Sequence, residues 1–118
     1  MTKAVAVVKD LFFVARIRET ASLVGTSVVF ARTPAEIEAE LERGAPALVI
    51  LDLTTPGWDY GALFEKLEAA RPAAPVLGFT THVLARQTQP LHARCARVVT
   101  KETLTRELAT ILKEGIAA

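Results

Sequence analysis

The 118 residues of the chain suffice for one compact domain and are too few for two domains with separate cores. Hydrophobic residues make up 51% and charged residues 23%, a balance that excludes a disordered tail and supplies a layered core. Fourteen Lys and Arg against thirteen Asp and Glu leave a net charge of +1, so no field of one sign draws in nucleic acid or an anionic membrane.

A lone Cys95 allows no internal disulfide and no thiolate cage, and two histidines, His82 and His92, cannot build a zinc site unaided. The first apolar run, Lys3–Val8, is far too short for a membrane span or a secretory leader, and Asp10 ends it; a cytoplasmic protein is expected. The run is β-branched and reads as a strand. A helical stretch follows, with Leu11, Phe12, Ala15, Ile17 and Leu23 at mixed threes and fours up to Gly25.

Ser27–Ala31 is the second strand. Thr33, Pro34, Ala35 and Glu36 then combine capping-box spacing with a proline at the first helical position, and Ile37 and Leu41 give that helix its buried stripe up to Gly44. Ala47–Leu51 is apolar at every position, as a central parallel strand is, and it delivers Asp52 at its carboxyl end. Thr54, Thr55, Pro56 and Gly57 form a turn, after which Asp59 caps a helix carrying Leu63, Phe64 and Leu67 before Pro72 and Pro75. Val76–Phe79 is the fourth strand. Val83–Arg94 is expected to be a short or kinked helix, because Pro90 removes a backbone donor within it. Arg97–Thr100 is the fifth strand, and Leu104, Leu108, Ile111 and Leu112 line a last helix ending near Gly115.

Five strand–helix units in one domain spanning residues 1–118 force parallel strands with right-handed crossovers, and so an α/β doubly wound five-stranded parallel sheet with helices on both faces. Ligands of such sheets sit outside the carboxyl ends of the strands. The residues there are Lys9 and Asp10, then Asp52, Thr80 and Lys101: two acids, a hydroxyl and two ammonium groups.

Leu51–Asp59 (LDLTTPGWD), Pro75–Thr80 (PVLGFT) and Val99–Lys101 (VTK) resemble, in order and spacing, the strand-end motifs of response-regulator receiver domains of two-component signalling. The likeness extends over nearly the whole chain. It implies a flavodoxin-like strand order 2-1-3-4-5, Asp52 as phosphoacceptor, Asp10 and Asp52 as magnesium ligands, Thr80 as the hydroxyl that meets the phosphoryl group and Lys101 as its counter-charge. It also implies a protein partner, a histidine kinase or phosphotransfer protein, and a signalling rather than an enzymatic role. The chemistry suits those residue types, since a carboxylate that takes a phosphoryl group needs its charge and the transferring oxygens neutralised.

The chain departs from the family pattern at named positions. Lys9 replaces the first of two acids, so Asp10 and Asp52 face Lys9 and Lys101 and the formal charges cancel; magnesium binding is expected to be weak or dispensable, with Lys9 standing in for the ion. Val98 replaces an aromatic residue, Glu102 a proline and Tyr60 a glycine. Trp58 and Tyr60 are read as loop packing or a contact patch, His82 as near the site, and His92 and Cys95 as surface and core residues. Two readings stay open: an atypical (pseudo-)receiver that acts as an interaction module, and a functional receiver phosphorylated on Asp52 with magnesium. A small flavodoxin-like enzyme or nucleotide binder is disfavoured, because Lys9–Phe13 offers no Gly-rich phosphate loop. Oligomeric state is not legible.

Overall fold

The computed structural model describes residues 3–70 and 73–116. Pro72, expected to help close the third helix, lies outside the described residues. The β-branched and apolar runs are strands, β1 (Lys3–Val7), β2 (Ser27–Phe30), β3 (Leu48–Asp52), β4 (Val76–Thr80) and β5 (Arg97–Thr100). Between and after them run α1 (Leu11–Val24), α2 (Pro34–Arg43), α3 (Tyr60–Ala69), α4 (Ala85–His92) and α5 (Lys101–Glu114). All strand pairs are parallel and the order is β2-β1-β3-β4-β5, as expected from the sequence.

Alternation along the central strands sends side chains to two cores. Ala4, Ala6, Ile50 and Phe79 pack with Phe13 and Ile17 of α1 and Leu104 and Leu108 of α5. Val5, Val7, Val49 and Leu51 pack on the other face with Ile37 of α2 and Leu63, Phe64 and Leu67 of α3. Each face thus buries its own helices, and the sheet is fixed between them.

Local chemistry sets the helix ends. Thr33 Oγ1 accepts from the Glu36 amide at 3.2 Å, and Glu36 Oε1 accepts from the Arg32 amide, one residue before the cap, at 2.8 Å. Gly25 ends α1 with φ 74°, a left-handed conformation that glycine adopts without steric strain. Gly78 has a different purpose: a Cβ there would lie 2.8 Å from Cys95 Sγ and 2.9 Å from Leu53 Cδ1, so its absence lets the segment after α4 lie close on β4. The short α4 carries Pro90, as its sequence foretold. The strand-end residues are displaced by one from their expected places at two strands: Asp52 and Thr80 are the last residues of β3 and β4.

Candidate functional site

The carboxyl ends of β1, β3, β4 and β5 bring Asp10, Asp52, Thr80 and Lys101 to one edge of the sheet. Asp10 follows β1 and caps α1, its Oδ1 accepting from the amides of Phe12 at 3.0 Å and Phe13 at 3.3 Å. Its other oxygen, Oδ2, accepts from Lys101 Nζ at 2.7 Å. Lys101 reaches it because α5 begins directly after β5, with Thr100 as the cap. The Lys101 ammonium holds the Asp10 carboxyl below its ordinary value, helped by the two amides, and also sits 5.1 Å from the Phe13 ring centre. Both oxygens of Asp10 are therefore committed.

Asp52 is half-buried. Its Oδ1 accepts from the Thr54 amide at 2.8 Å and the Thr54 hydroxyl at 2.6 Å, whereas among the described residues no group bonds Oδ2. The loop that follows is clasped by Tyr60, whose hydroxyl donates to the Asp52 carbonyl at 2.6 Å and accepts from the Thr55 amide at 2.9 Å. Burial pushes the Tyr60 phenol up, which keeps it a donor. One carboxylate oxygen is thus presented from a braced loop.

Lys9 corrects the sequence-based expectation. It makes no ion pair with Asp10 or Asp52; its exposed ammonium lies 5.1 Å from the Trp58 ring centre, and Trp58 in turn sits 6.5 Å from the Tyr60 ring. A long lysine stem carries its head outward, and the half-buried indole offers a face for it. The internal cation at the site is Lys101. Beside Trp58 a pocket of ≈ 350 Å³ is lined by Lys9, Arg32, Pro34, Pro56 and Leu63 among others.

Thr80 is buried, and its hydroxyl is turned toward α4, 3.1 Å from Thr88 Oγ1. Thr88 Oγ1 lies 2.8 Å from His92 Nε2, so the residue expected to be an ordinary surface histidine ends a polar chain leading to the site. His82 is exposed and next to Val83, which is 87% exposed. Leu11 and Phe12 at the start of α1 are 64% and 90% exposed, so the same edge of the sheet carries apolar side chains in solvent. Sequence reasoning missed the Tyr60 clasp, the Lys101–Asp10 pair and the Thr88–His92 contact. Of these only the last had a signal, the four-residue spacing that places two helix side chains together.

Comparison with known proteins shows the fold's relatives. No protein-family model matches the sequence. No curated protein matches it. Among solved structures, a response regulator from Hahella chejuensis is 15% identical over the whole of both chains with a TM-score of 0.79. A response regulator receiver protein from Burkholderia phymatum is 25% identical, over 100% of this chain and 98% of its own, with a TM-score of 0.73. The receiver domain of a Pseudomonas aeruginosa sensor histidine kinase is 17% identical, over 99% and 98%, with a TM-score of 0.77, and has magnesium coordinated in its active-site cleft. The chain has the fold of response-regulator receiver domains. Among the described residues no helix is long and apolar enough to cross a membrane.

Asp10 and Asp52 are the two carboxylates at this edge that would hold a magnesium ion, and both are engaged by protein groups as the structure stands. Magnesium asks for hard oxygen ligands in octahedral array, at least one or two of them carboxylate. Here Asp10 is occupied by Lys101 and two amides, Asp52 leaves one free oxygen, and among the described residues no three Asp, Glu, His or Cys side chains gather to hold a metal.

Proposed function

We propose that this chain is an atypical receiver-fold signalling module that works by contact with a protein partner, its Asp10 carboxylate paired from within by Lys101. The observation that carries the proposal is the 2.7 Å Lys101–Asp10 ion pair, which occupies the carboxylate a metal would need and the ammonium a phosphoryl group would need. A divalent ion would have to displace an ammonium already bonded there, in a site that Lys101 leaves with a single surplus negative charge. The exposed Leu11, Phe12 and Val83 at the same edge supply apolar contact area for a partner, a histidine kinase, phosphotransfer protein or other signalling protein of a cytoplasmic pathway. No part of this role requires a nucleic acid, a membrane or a chemical transformation by the module.

The free Oδ2 of Asp52 favours a second reading, a receiver phosphorylated on Asp52 once the ion pair opens. Magnesium titration separates the two. Trp58 is the single tryptophan and lies in the loop after Asp52, so its fluorescence reports on that loop. The proposal expects no saturable change in the parent up to millimolar magnesium, and a saturable one in a Lys9→Asp, Lys101→Met variant whose Asp10 is released. Saturation in the parent at micromolar magnesium would overturn it.

A further inference from the structure

We infer that His92, acting through Thr88, positions the Thr80 hydroxyl, so that the site and the outer surface of α4 are held by one hydrogen-bonded chain. This deepens the proposed function by naming the element whose placement the site controls, and it rests on Thr80 belonging to that site.

The chain runs from the interior to the surface. Thr80 and Thr88 are 3% and 5% exposed, while His92 is half-buried at the last turn of the helix. Thr88 Oγ1 stands 3.1 Å from Thr80 Oγ1, 2.8 Å from His92 Nε2 and 3.2 Å from the Ala85 carbonyl. Buried hydroxyls need partners, and these two have each other.

Two features make the chain consequential for α4. Thr88 is the one fully buried side chain that α4 contributes, with Leu91 half-buried against the core beside it, whereas α1, α3 and α5 each bury several apolar groups. Thr88 is also the hydrogen-bond partner of Thr80, so a turn of the Thr80 side chain breaks or bends that bond. A cleft of ≈ 410 Å³ lined by Thr54, Tyr60, Gln87, Thr88 and Leu91 leaves room beside that partner for the helix to shift.

The polarity of the chain is set at its outer end. A threonine hydroxyl has one proton and two lone pairs. When His92 Nε2 bears hydrogen it donates to Thr88, and the one Thr88 proton goes either to Thr80, leaving the Thr80 proton for the site, or to the Ala85 carbonyl. When Nε2 is bare the direction reverses, Thr80 donates to Thr88, and the site meets a lone pair. A bare His92 Nε2 thereby fixes Thr80 as the donor to Thr88, and by linkage whatever draws Thr80 toward Asp52 loosens α4, while a partner that engages His92 frees Thr80.

The test uses the full chain labelled with nitrogen-15, as the parent and as Thr80→Val, Thr80→Ser and Thr88→Val. Ring nitrogen resonances of the two histidines and amide exchange along α4 are read together. Thr80→Val is expected to shift the His92 ring nitrogens, leave the exposed His82 unmoved, and speed exchange of α4 amides about fivefold, as loss of one buried hydrogen bond does. Thr80→Ser should restore both, and Thr88→Val should give the same changes as Thr80→Val. An unmoved His92 ring in a folded Thr80→Val protein would overturn the inference. Should that variant fail to fold, His92→Phe must speed α4 exchange and His92→Gln must restore it; equal exchange in the two would overturn it instead. None of these readouts involves magnesium or phosphorylation, so their failure is distinct from failure of the proposed function.

Discussion

Replacing Asp10 separates two contributions that one side chain makes. Its Oδ1 caps α1, and its Oδ2 pairs with Lys101. Loss of an N-cap costs about 1 kcal/mol. The ion pair is 40% and 38% exposed at its two ends, so solvent screens it to about 0.5 kcal/mol. Asp10→Asn keeps a capping oxygen and removes the charge, which predicts a loss of about 0.5 kcal/mol, whereas Asp10→Ala removes both and should lose about 1.5 kcal/mol. Lys101→Met retains a stem against the Phe13 ring, and combined with Asp10→Asn it should lose about 0.5 kcal/mol less than the sum of the single changes. Urea unfolding at low and high salt measures the cycle, with the coupling shrinking as salt rises. The Asp10 carboxyl is lowered in the folded state, so its stabilisation is complete above the ordinary carboxylate value of about 3.9 and disappears as pH falls through the lower folded value. Zero coupling at low salt would refute the pair in solution, and equal losses in Asp10→Asn and Asp10→Ala would refute the capping role.

Other expectations are simpler. Gly78→Ala places a methyl within 2.8 Å of Cys95 Sγ and 2.9 Å of Leu53 Cδ1 in packed surroundings, and should cost about 1–3 kcal/mol in a denaturation series. Tyr60→Phe leaves the Thr55 amide without its acceptor and should cost about 1–2 kcal/mol, with faster exchange at Thr55 showing that the Asp52 loop has loosened. Burial raises the Cys95 thiol to about 11, so alkylation of the folded protein at pH 8 should be slow and become rapid on unfolding. Phe64→Ala, at a fully buried position between β3 and α3, should lose about 3–5 kcal/mol.

The sequence carries the architecture because its signals are local. The apolar run before Asp52, the Thr33 cap and the Pro90 that keeps α4 short each act within a few residues, and five strand–helix alternations then leave few topologies. Which side chains arrive at the strand ends is legible for the same reason. Their pairing is not. Lys9 and Lys101 are both near enough in topology to answer Asp10, and the choice turns on where each stem exits: Lys101 opens α5 beside Phe13, while Lys9 is drawn outward to the Trp58 ring. The Tyr60 clasp depends on a ring reaching back eight residues to the Asp52 carbonyl, and composition does not encode that path. Thr88 and His92 sit at helical spacing, but the third member of their chain comes from β4, so only the fold reveals it.

Intact-protein mass after incubation with magnesium and acetyl phosphate tests the account most directly, with the parent beside Asp52→Asn and the Lys9→Asp, Lys101→Met variant. The account predicts an unmodified parent, because Lys101 holds Asp10, one of the two carboxylates a metal at this edge would need. A phosphoryl adduct on the parent that vanishes in Asp52→Asn would contradict it and establish a receiver that opens its own ion pair.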